Sequence, residues 1–335
     1  MKTMNLFAED DRLKKLSKLG DQLEKLNNVI KWEIFRSILK SVFTKKAKGA
    51  GGRPPYDYVM MFKILILQRL FNISDDQTEF QINDRMSFMR FLGLTLGEKV
   101  PDAKTIWHFR NELVIANVME SLFELFTQEL EARGIITHKG TIVDATFVDA
   151  PKQRNNREEN KRVKAGEVPE EWSENKLRQK DTDARWTKKN NEVHFGYKDH
   201  VKVDADSKII TDYAVTGANV HDSQKFTEFL DDTDMAVYAD GAYAGQEVPE
   251  KIRTEICEKG YRNHPLTNEQ KARNREKSKI RCRIEHVFGY MTGSMRGITF
   301  RGIGITRADF NIGLTNLVYN MCRYETLQRL RSITG

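Results

Sequence analysis

The sequence predicts an α/β protein, with a mixed sheet flanked by helices that follows an all-α N-terminal part. Apolar residues recur at helical spacing through most of residues 10–136. The stretch GTIVDATFVDAP at 140–151 then has the β-prone residues and the glycine and proline boundaries of a buried strand. A strand–turn–strand pattern at 193–216 and a short apolar strand ending at Asp240 come next, separated by helical patterns. That order is typical of a mixed sheet with helices on its faces.

Residues 1–50 are expected to form a helix with leucines at 3–4–3–4 spacing. The pattern favours either a dimer contact or packing of the helix against its own domain, because a coiled coil needs several sustained heptads. The residues concerned are Leu16, Leu19, Leu23, Leu26 and Ile30.

Residues 51–136 are expected to form a second helical domain, next to the Gly/Pro-rich basic stretch KKAKGAGGRPP. Capping-box spacing at Ser74 and a polar start at Asp102 predict that short helices begin there. Short helices in this order are compatible with a helix-turn-helix DNA reader and equally with a purely structural domain. Arg53 is a candidate contact for a DNA backbone, unless the basic stretch is only a solvated hinge.

Three carboxylates within residues 137–335 are candidate metal ligands. Asp144 stands inside an apolar strand, where a carboxylate is costly unless it has a cationic partner. Asp240 ends a second apolar strand, and Glu285 lies in the helical pattern IRCRIEHVFGYM. Converging acidic oxygens on rigid elements suit hard Mg²⁺, so we expect a site for two Mg²⁺ ions in which Mn²⁺ substitutes. Taken singly, Asp240 is equally a turn residue and Glu285 equally a partner of Arg281.

Residues 151–193 form a charged stretch with few aliphatic side chains, and we expect them to be an insertion at the rim of the domain. Trp186, Lys188 and Lys189 are candidate DNA contacts, because aromatic rings among basic residues can stack on unpaired bases. Trp172 is expected to pin the loop, and Asp181 and Asp183 are expected to be solvated. Helices are expected at 223–231, 246–258 and 307–331.

A basic run at 271–283, KARNREKSKIRCR, carries Lys or Arg at every odd position. Alternate residues share one side of an extended chain, so we expect 271–277 to be extended along DNA and a helix to begin near Ser278. The alternative is a solvated surface. The candidate DNA contacts are Arg273, Arg275, Lys277, Lys279, Arg281 and Arg283.

Bulk composition favours a soluble intracellular protein with a polyanionic partner. The net charge is +7 and the pI about 9.1. Three cysteines without CxxC spacing are typical of a reducing compartment rather than of zinc ligands or disulfides. The N-terminus has no signal-like apolar segment. The most apolar run, at 59–70, is too short to span a bilayer, so no membrane association is expected.

Several motifs together resemble the DDE transposases of bacterial insertion sequences, specifically the IS5 group of the IS4-like superfamily. They are GRPPYD, VPDAKTIWHFR, VDATFVDAP, HFGYKDHVKVD, ADGAYAG and RIEHVFG. The resemblance implies an RNase H-like domain at 137–335, with Asp144, Asp240 and Glu285 as catalytic metal ligands. It implies a homodimer in the bacterial cytoplasm, associated with the nucleoid, that binds terminal inverted repeats and target DNA. Hydrolysis at the transposon ends and attack of the freed 3′-hydroxyl on target DNA are the implied reactions.

The resemblance also implies a tyrosine–arginine–glutamate–lysine signature around the third acid. Arg281 fits it, four residues before Glu285 on one helix face. Ser278 and Thr292 depart from it, and Lys279 or Arg283 is the candidate substitute. His221 and Asp222 are candidate accessory residues, either steering DNA or a proton or making structural hydrogen bonds.

Two alternatives remain at this point. One is an RNase H-like nuclease that cuts without strand transfer, using the same acids. The other is a non-catalytic DNA-binding protein derived from a transposase, in which loss of a carboxylate is expected, and all three are present.

Overall fold

The computed structural model describes residues 8–43, 54–189 and 191–334. The chain divides into two compact units, one of residues 1–125 with 317–335 and one of residues 126–316. Arg53 and most of the basic stretch around it lie outside the described residues.

The first unit is helical, as the apolar spacing predicts. Its fourth helix is its core element, because almost every side chain between Val59 and Leu70 is buried. Asp57 caps this helix by accepting from the Met60 amide at 2.9 Å. The helices are α1 (Ala8–Leu19), α2 (Gln22–Val29), α3 (Arg36–Phe43), α4 (Tyr58–Phe71), α5 (Asp75–Asp84), α6 (Met86–Leu92) and α7 (Ala103–Ile115).

Both predicted helix starts in this unit are confirmed. Ser74 accepts from the Gln77 amide at 3.2 Å, and Asp102 accepts from the Thr105 amide at 2.7 Å. The connection between α6 and α7 spans residues 93–102, which is longer than the turn of about 3–4 residues in a helix-turn-helix motif. Reading of bases by these helices therefore stays a proposal.

The leucine pattern does not continue as one helix. α1 ends at Leu19, and Gly20 adopts φ +87°, a conformation that breaks the helix. Leu23 and Leu26 of α2 are buried within their own unit, whereas Leu19 is 84% exposed. The structure thus favours packing against the helix's own domain over a continuous dimer seam.

The second unit is built on a six-stranded mixed sheet, as the sequence predicts. Its order is β2-β3-β1-β5-β6, and β4 pairs with β3. β1 is antiparallel to β3 and parallel to β5, and β3 and β4 form the predicted hairpin. The strands are β1 (Thr141–Asp149), β2 (Arg185–Lys189), β3 (Glu192–Asp204), β4 (Ile210–Gly217), β5 (Ala236–Ala239) and β6 (Arg253–Ile256).

Helices accompany this sheet. An apolar cluster joins β1 and β5 to short 3₁₀ turns that occupy the region of the helix predicted at 223–231, and its members include Val143, Val237, Phe226, Phe229 and Tyr243. The helices are α9 (Arg157–Lys164), α10 (Glu174–Leu177), α11 (Asn268–Arg281) and α12 (Arg283–Thr292), with α8 (Met119–Ala132) and α13 (Ile305–Thr334) crossing the boundaries between the units.

The helix predicted at 246–258 is wrong. Residues 253–256 form β6, the edge strand parallel to β5. Helical spacing failed here because the pairing that decides the outcome is non-local: the Arg253 amide donates to the Met235 carbonyl, and the Cys257 amide to the Ala239 carbonyl.

The charged stretch 151–193 is more structured than its composition predicts. It ends in β2, which is a strand of the main sheet. The Trp172 ring is buried, and its Nε1 donates to Glu159 at 2.7 Å, so this ring closes the stretch on itself. Solvation of Asp181 is wrong, since both of its oxygens accept from the buried Tyr197 hydroxyl at 2.8 Å. Asp183 accepts from the Ile305 amide.

Within the described residues, none of the helices has the length and apolar character needed to cross a bilayer.

Candidate active site

Two of the three candidate acids lie together on neighbouring parallel strands of the sheet. Thr141 and Ile142 of β1 pair with Val237 and Tyr238 of the parallel β5. Asp144 and Asp240 each lie two residues beyond the last pair, so the parallel register brings them side by side. The Asp240 charge contributes to raising the pKa of Asp144, so the two carboxylates are within electrostatic reach.

Asp144 is a largely desolvated carboxylate. Burial, and then the neighbouring Asp240, raise its pKa to about 6, against a hydrogen bond from the Ala145 amide. That amide donates to Oδ1 at 2.8 Å. The remaining oxygen, Oδ2, lies 3.9 Å from Nη1 of Arg281. Asp144 thus combines negative charge with little local compensation.

Asp240 is fixed by the turn that it begins. It directly follows β5, and its side chain accepts from the Ala242 amide at 2.7 Å, which caps the 3₁₀ turn Gly241–Tyr243. The turn reading of Asp240 and its place beside Asp144 are therefore compatible.

Glu285 is linked to Asp144 through Arg281. Nη2 of Arg281 donates to Glu285 Oε1 at 3.2 Å, while Nη1 of the same guanidinium faces Asp144. Glu285 is 61% exposed at the side chain, in the first turn of α12. One arginine therefore links the first and third acids.

The carboxylate oxygens of Asp144 and Asp240 fit a hard divalent cation. Carboxylate oxygens are the ligands that Mg²⁺ prefers, and a cation relieves the repulsion between two adjacent acids. Glu285 is engaged by Arg281 instead. Among the described residues, no set of three or more His, Cys, Asp or Glu side chains is arranged to hold a metal ion.

The family follows from comparison with known proteins. Residues 136–321 match the family described as Transposase DDE domain, and residues 11–112 match the one described as Transposase domain (DUF772). The chain belongs to the DDE transposase family. Domains of this family act on DNA and typically use divalent metals. No solved structure matches the chain.

Asp222, in the loop at 217–223, contacts the side chains of two lysines. Lys198 Nζ donates to Asp222 Oδ1 at 2.7 Å and to the Val220 carbonyl at 2.6 Å, and Lys189 Nζ lies 3.5 Å from Oδ2. Burial of Asp222 opposes its ionisation, but Lys198 outweighs burial and the pKa is lowered. The exposed His221 accepts from the Ser223 amide through Nδ1. Structural hydrogen bonds are therefore present at both accessory candidates.

Two residues at this site were missed by the sequence reasoning. Lys198 is buried in β3, opposite Phe147 of β1, with its ammonium 5.2 Å from the Phe147 ring centroid. Tyr243 is buried beside the acids. The criterion applied to Asp144, a charge inside an apolar strand, would have selected Lys198 in HFGYKDHVKVD. Nothing in the local pattern marks Tyr243.

The basic run is helical, so the expectation of an extended 271–277 is wrong. A capping box of Thr267 and Gln270 starts α11 at Asn268, ten residues before the predicted start at Ser278. Helical geometry scatters the odd-numbered basic residues around the axis.

Several side chains of the basic run are engaged within the protein. Arg273 pairs with Glu258 at 2.9 Å, and Lys277 donates to the Ile256 carbonyl at 2.8 Å. The two candidates for the missing signature residues have other partners: Lys279 pairs with Glu276 and Arg283 with the Ala205 carbonyl and Asp206. Arg275 is exposed, without a hydrogen-bond or ion-pair partner among the described residues.

The aromatic candidate Trp186 lies on β2 with its ring 42% exposed, against Phe195 at a centroid distance of 4.8 Å. Lys188 is exposed on the same strand, and Lys189 faces Asp222. Two other strand-end acids have different environments. Asp149 is exposed near His194, while Asp204 is buried and accepts from Thr137, His138 and Ser207.

Proposed function

We propose that the chain is an IS5-group transposase that binds terminal inverted repeats, cleaves DNA at the transposon ends by metal-dependent hydrolysis and joins the 3′-hydroxyl ends to target DNA. The observation that carries the proposal is the adjacent pair Asp144 and Asp240, with Arg281 linking Asp144 to Glu285. The family match supports the same reaction class. Adjacent carboxylates on a rigid sheet suit metal-dependent phosphoryl transfer better than simple DNA binding, because acidic side chains repel the phosphate backbone unless a cation lies between them.

Each acid has a distinct part in this proposal. Asp144 and Asp240 would hold divalent cations, two Mg²⁺ ions or Mn²⁺ in their place, with Glu285 as the third ligand. When bound, such ions stabilise charge on the reacting phosphate and supply an activated water. The chain itself provides the rigid parallel strands that align Asp144 with Asp240. Arg281 supplies a guanidinium that suits a phosphate oxygen beside the acids.

The DNA path proposed from α11 follows its outward face. Lys271, Arg275 and Lys279 are exposed and lie one helical turn apart, so they form one basic stripe. The pair between Lys279 and Glu276 is exposed and therefore weak enough to be exchanged for a phosphate. Arg273 and Lys277 face the chain at 256–258 and are structural in this reading. Trp186 and Lys188 extend the proposed contact surface along β2.

Strand transfer is the step that separates this function from its alternatives. Pre-cleaved transposon-end DNA with a free 3′-hydroxyl is incubated with the protein, Mg²⁺ and a supercoiled target, and joined products are counted. A transposase yields joined products at a defined end position, and these require the 3′-hydroxyl because a 3′-dideoxy end cannot attack. Cleavage of intact ends without joining would identify a nuclease. Binding without either reaction would identify a non-catalytic DNA-binding protein.

A homodimer is the proposed working form, because two transposon ends must be cut and joined in concert. The buried positions of Leu23 and Leu26 remove them from the surface that such a dimer could use.

A further inference from the structure

One buried hydroxyl near the pair Asp144 and Asp240 has no hydrogen-bond partner among the described residues. Tyr243 is 1% exposed, and its hydroxyl oxygen, itself without solvent contact, has no partner among the described residues. Leaving a buried donor unsatisfied costs about 1–3 kcal/mol, so such a group calls for an explanation. Burial of the ring is accounted for by its packing against Phe226, at a centroid distance of 5.2 Å, in the apolar cluster of the sheet. No packing contact accounts for burial of the hydroxyl.

The Tyr243 hydroxyl lies within electrostatic reach of three acids. Burial, and then Asp144, Asp222 and Asp240 in that order, raise its pKa, so three carboxylates lie within electrostatic reach. The neutral hydroxyl is therefore kept as a hydrogen-bond donor. The turn from Asp240 to Tyr243 fixes the ring, since the Tyr243 amide donates to the Asp240 carbonyl at 3.2 Å.

The carboxylates near Tyr243 accept hydrogen bonds or ion pairs from other donors. Asp240 Oδ1 accepts from the Ala242 amide, Asp144 Oδ1 accepts from the Ala145 amide, and both oxygens of Asp222 face lysines. Each of Asp144 and Asp240 still has lone pairs available on its second oxygen.

We propose that Tyr243 is a positioning residue of the acidic pair, whose hydroxyl donates to a carboxylate oxygen of Asp144 or Asp240 when these acids bind a divalent cation. The inference rests on the proposed metal site. Hydrogen bonds to ligating carboxylates fix their orientation, and losing one typically costs about 10–100-fold in metal affinity. The orphaned donor in the described state is the counterpart of a bond made in the loaded state.

The test compares Tyr243→Phe with Tyr197→Phe in the full-length protein. Both changes delete one buried hydroxyl and keep the ring. The Tyr197 hydroxyl is satisfied by Asp181, whereas that of Tyr243 is not. Thermal unfolding in EDTA and Mn²⁺ binding by titration calorimetry are measured for each variant, for wild type and for Asp144→Asn.

We expect Tyr243→Phe to unfold in EDTA at a temperature no lower than wild type, yet to bind Mn²⁺ at least about 10-fold more weakly. Tyr197→Phe should show the opposite, with lower unfolding temperature and unchanged Mn²⁺ affinity. A Tyr243→Phe variant as destabilised in EDTA as Tyr197→Phe would make the hydroxyl a structural group and overturn the proposal. Wild-type Mn²⁺ affinity in Tyr243→Phe, with weak binding only in Asp144→Asn, would overturn the role of Tyr243 alone. Absence of Mn²⁺ binding in wild type would overturn the metal site as well.

Discussion

At the scale of single residues, burial of a carboxylate does not by itself indicate function. Asp204 and Asp181 are buried and accept from several donors, so they are structural. Asp144 is half-buried, with one amide donor and a neighbouring acid. The difference lies in the number of donors around each acid, which the sequence does not contain. A strand pattern could select Asp144 as costly, and it would have selected Asp199 of β3 as readily.

Asp199 gives a prediction about stability. It is completely buried, and burial first, then Asp309, raise its pKa to about 8, although Asn316 Nδ2 donates to Oδ1 at 3.0 Å. Asp199 Oδ2 and Asn316 Oδ1 have no partner among the described residues. An asparagine at 199 could satisfy both, because its amide would donate to Asn316 Oδ1. Asp199→Asn is therefore expected to stabilise the protein at neutral and alkaline pH.

The pH dependence of that effect has a definite sign. Between about pH 4, the unfolded value, and about pH 8, the folded state holds a proton on Asp199 that the unfolded state has released. The contribution of Asp199 to the free energy of unfolding thus falls as pH rises through this window, by up to about 1.4 kcal/mol per pH unit. Urea unfolding of both proteins at several pH values measures the difference. A difference that does not grow with pH would show that Asp199 is ionised in the fold.

Arg281 gives a prediction about activity. Its guanidinium faces Asp144 and donates to Glu285, so Arg281→Ala should lower cleavage of end DNA by about 10²-fold, by analogy with loss of one preorganised donor. Affinity for end DNA should change much less, because one phosphate contact among several is lost. Arg275→Ala is the control on the same helix, expected to weaken binding and spare cleavage at saturating DNA. Equal effects of the two substitutions on cleavage would contradict the placement of Arg281.

At the scale of elements, the sequence patterns predicted correctly those features that are determined by residues close together in the chain. The caps at Ser74 and Asp102 and the hairpin β3–β4 depend on residues close in sequence. β6 depends on its pairing with β5, which is separated from it in sequence, so helical spacing misassigned its segment. β2 pairs with the adjoining strand β3, and the charged composition of its segment hid that strand. The basic run was misassigned because its odd-numbered spacing was taken as extended chain, and the capping box of Thr267 and Gln270 that starts the helix was overlooked.

The helical form of the basic run gives a prediction about DNA binding. Replacing Lys271, Arg275 and Lys279 together by glutamine should reduce the slope of log affinity against log salt by about one unit for each lost phosphate contact. The matched variant replaces Arg273 and Lys277, which contact Glu258 and the Ile256 carbonyl, and it should lower stability while keeping the slope. An unchanged slope in the triple variant would make the stripe a solvated surface, and would direct the search for the DNA path to β2 and Trp186.

At the scale of the whole molecule, the sequence predicted the fold class and the helical character of the N-terminal part. The structure forms two units, and residues 317–335 belong to the first. This assignment of residues 317–335 depends on tertiary contacts of the long C-terminal helix, about which local periodicity holds no information. Asp144 and Asp240 are neighbours because the parallel register of β1 and β5 places each of them two residues beyond the last pair, which no local pattern contains. Glu285 contacts Arg281, and the ligand role of all three acids stays a proposal.

The central claim is that Asp144, Asp240 and Glu285 act together to cleave DNA. The most direct measurement is Mg²⁺-dependent cleavage of transposon-end DNA by Asp144→Asn, Asp240→Asn and Glu285→Gln, with binding to the same DNA measured in parallel. Each neutral variant should cleave at the level seen without metal, while its affinity for end DNA stays close to wild type, since affinity comes from basic residues elsewhere. Near-normal cleavage by any one variant would remove that residue from the metal site and contradict the account.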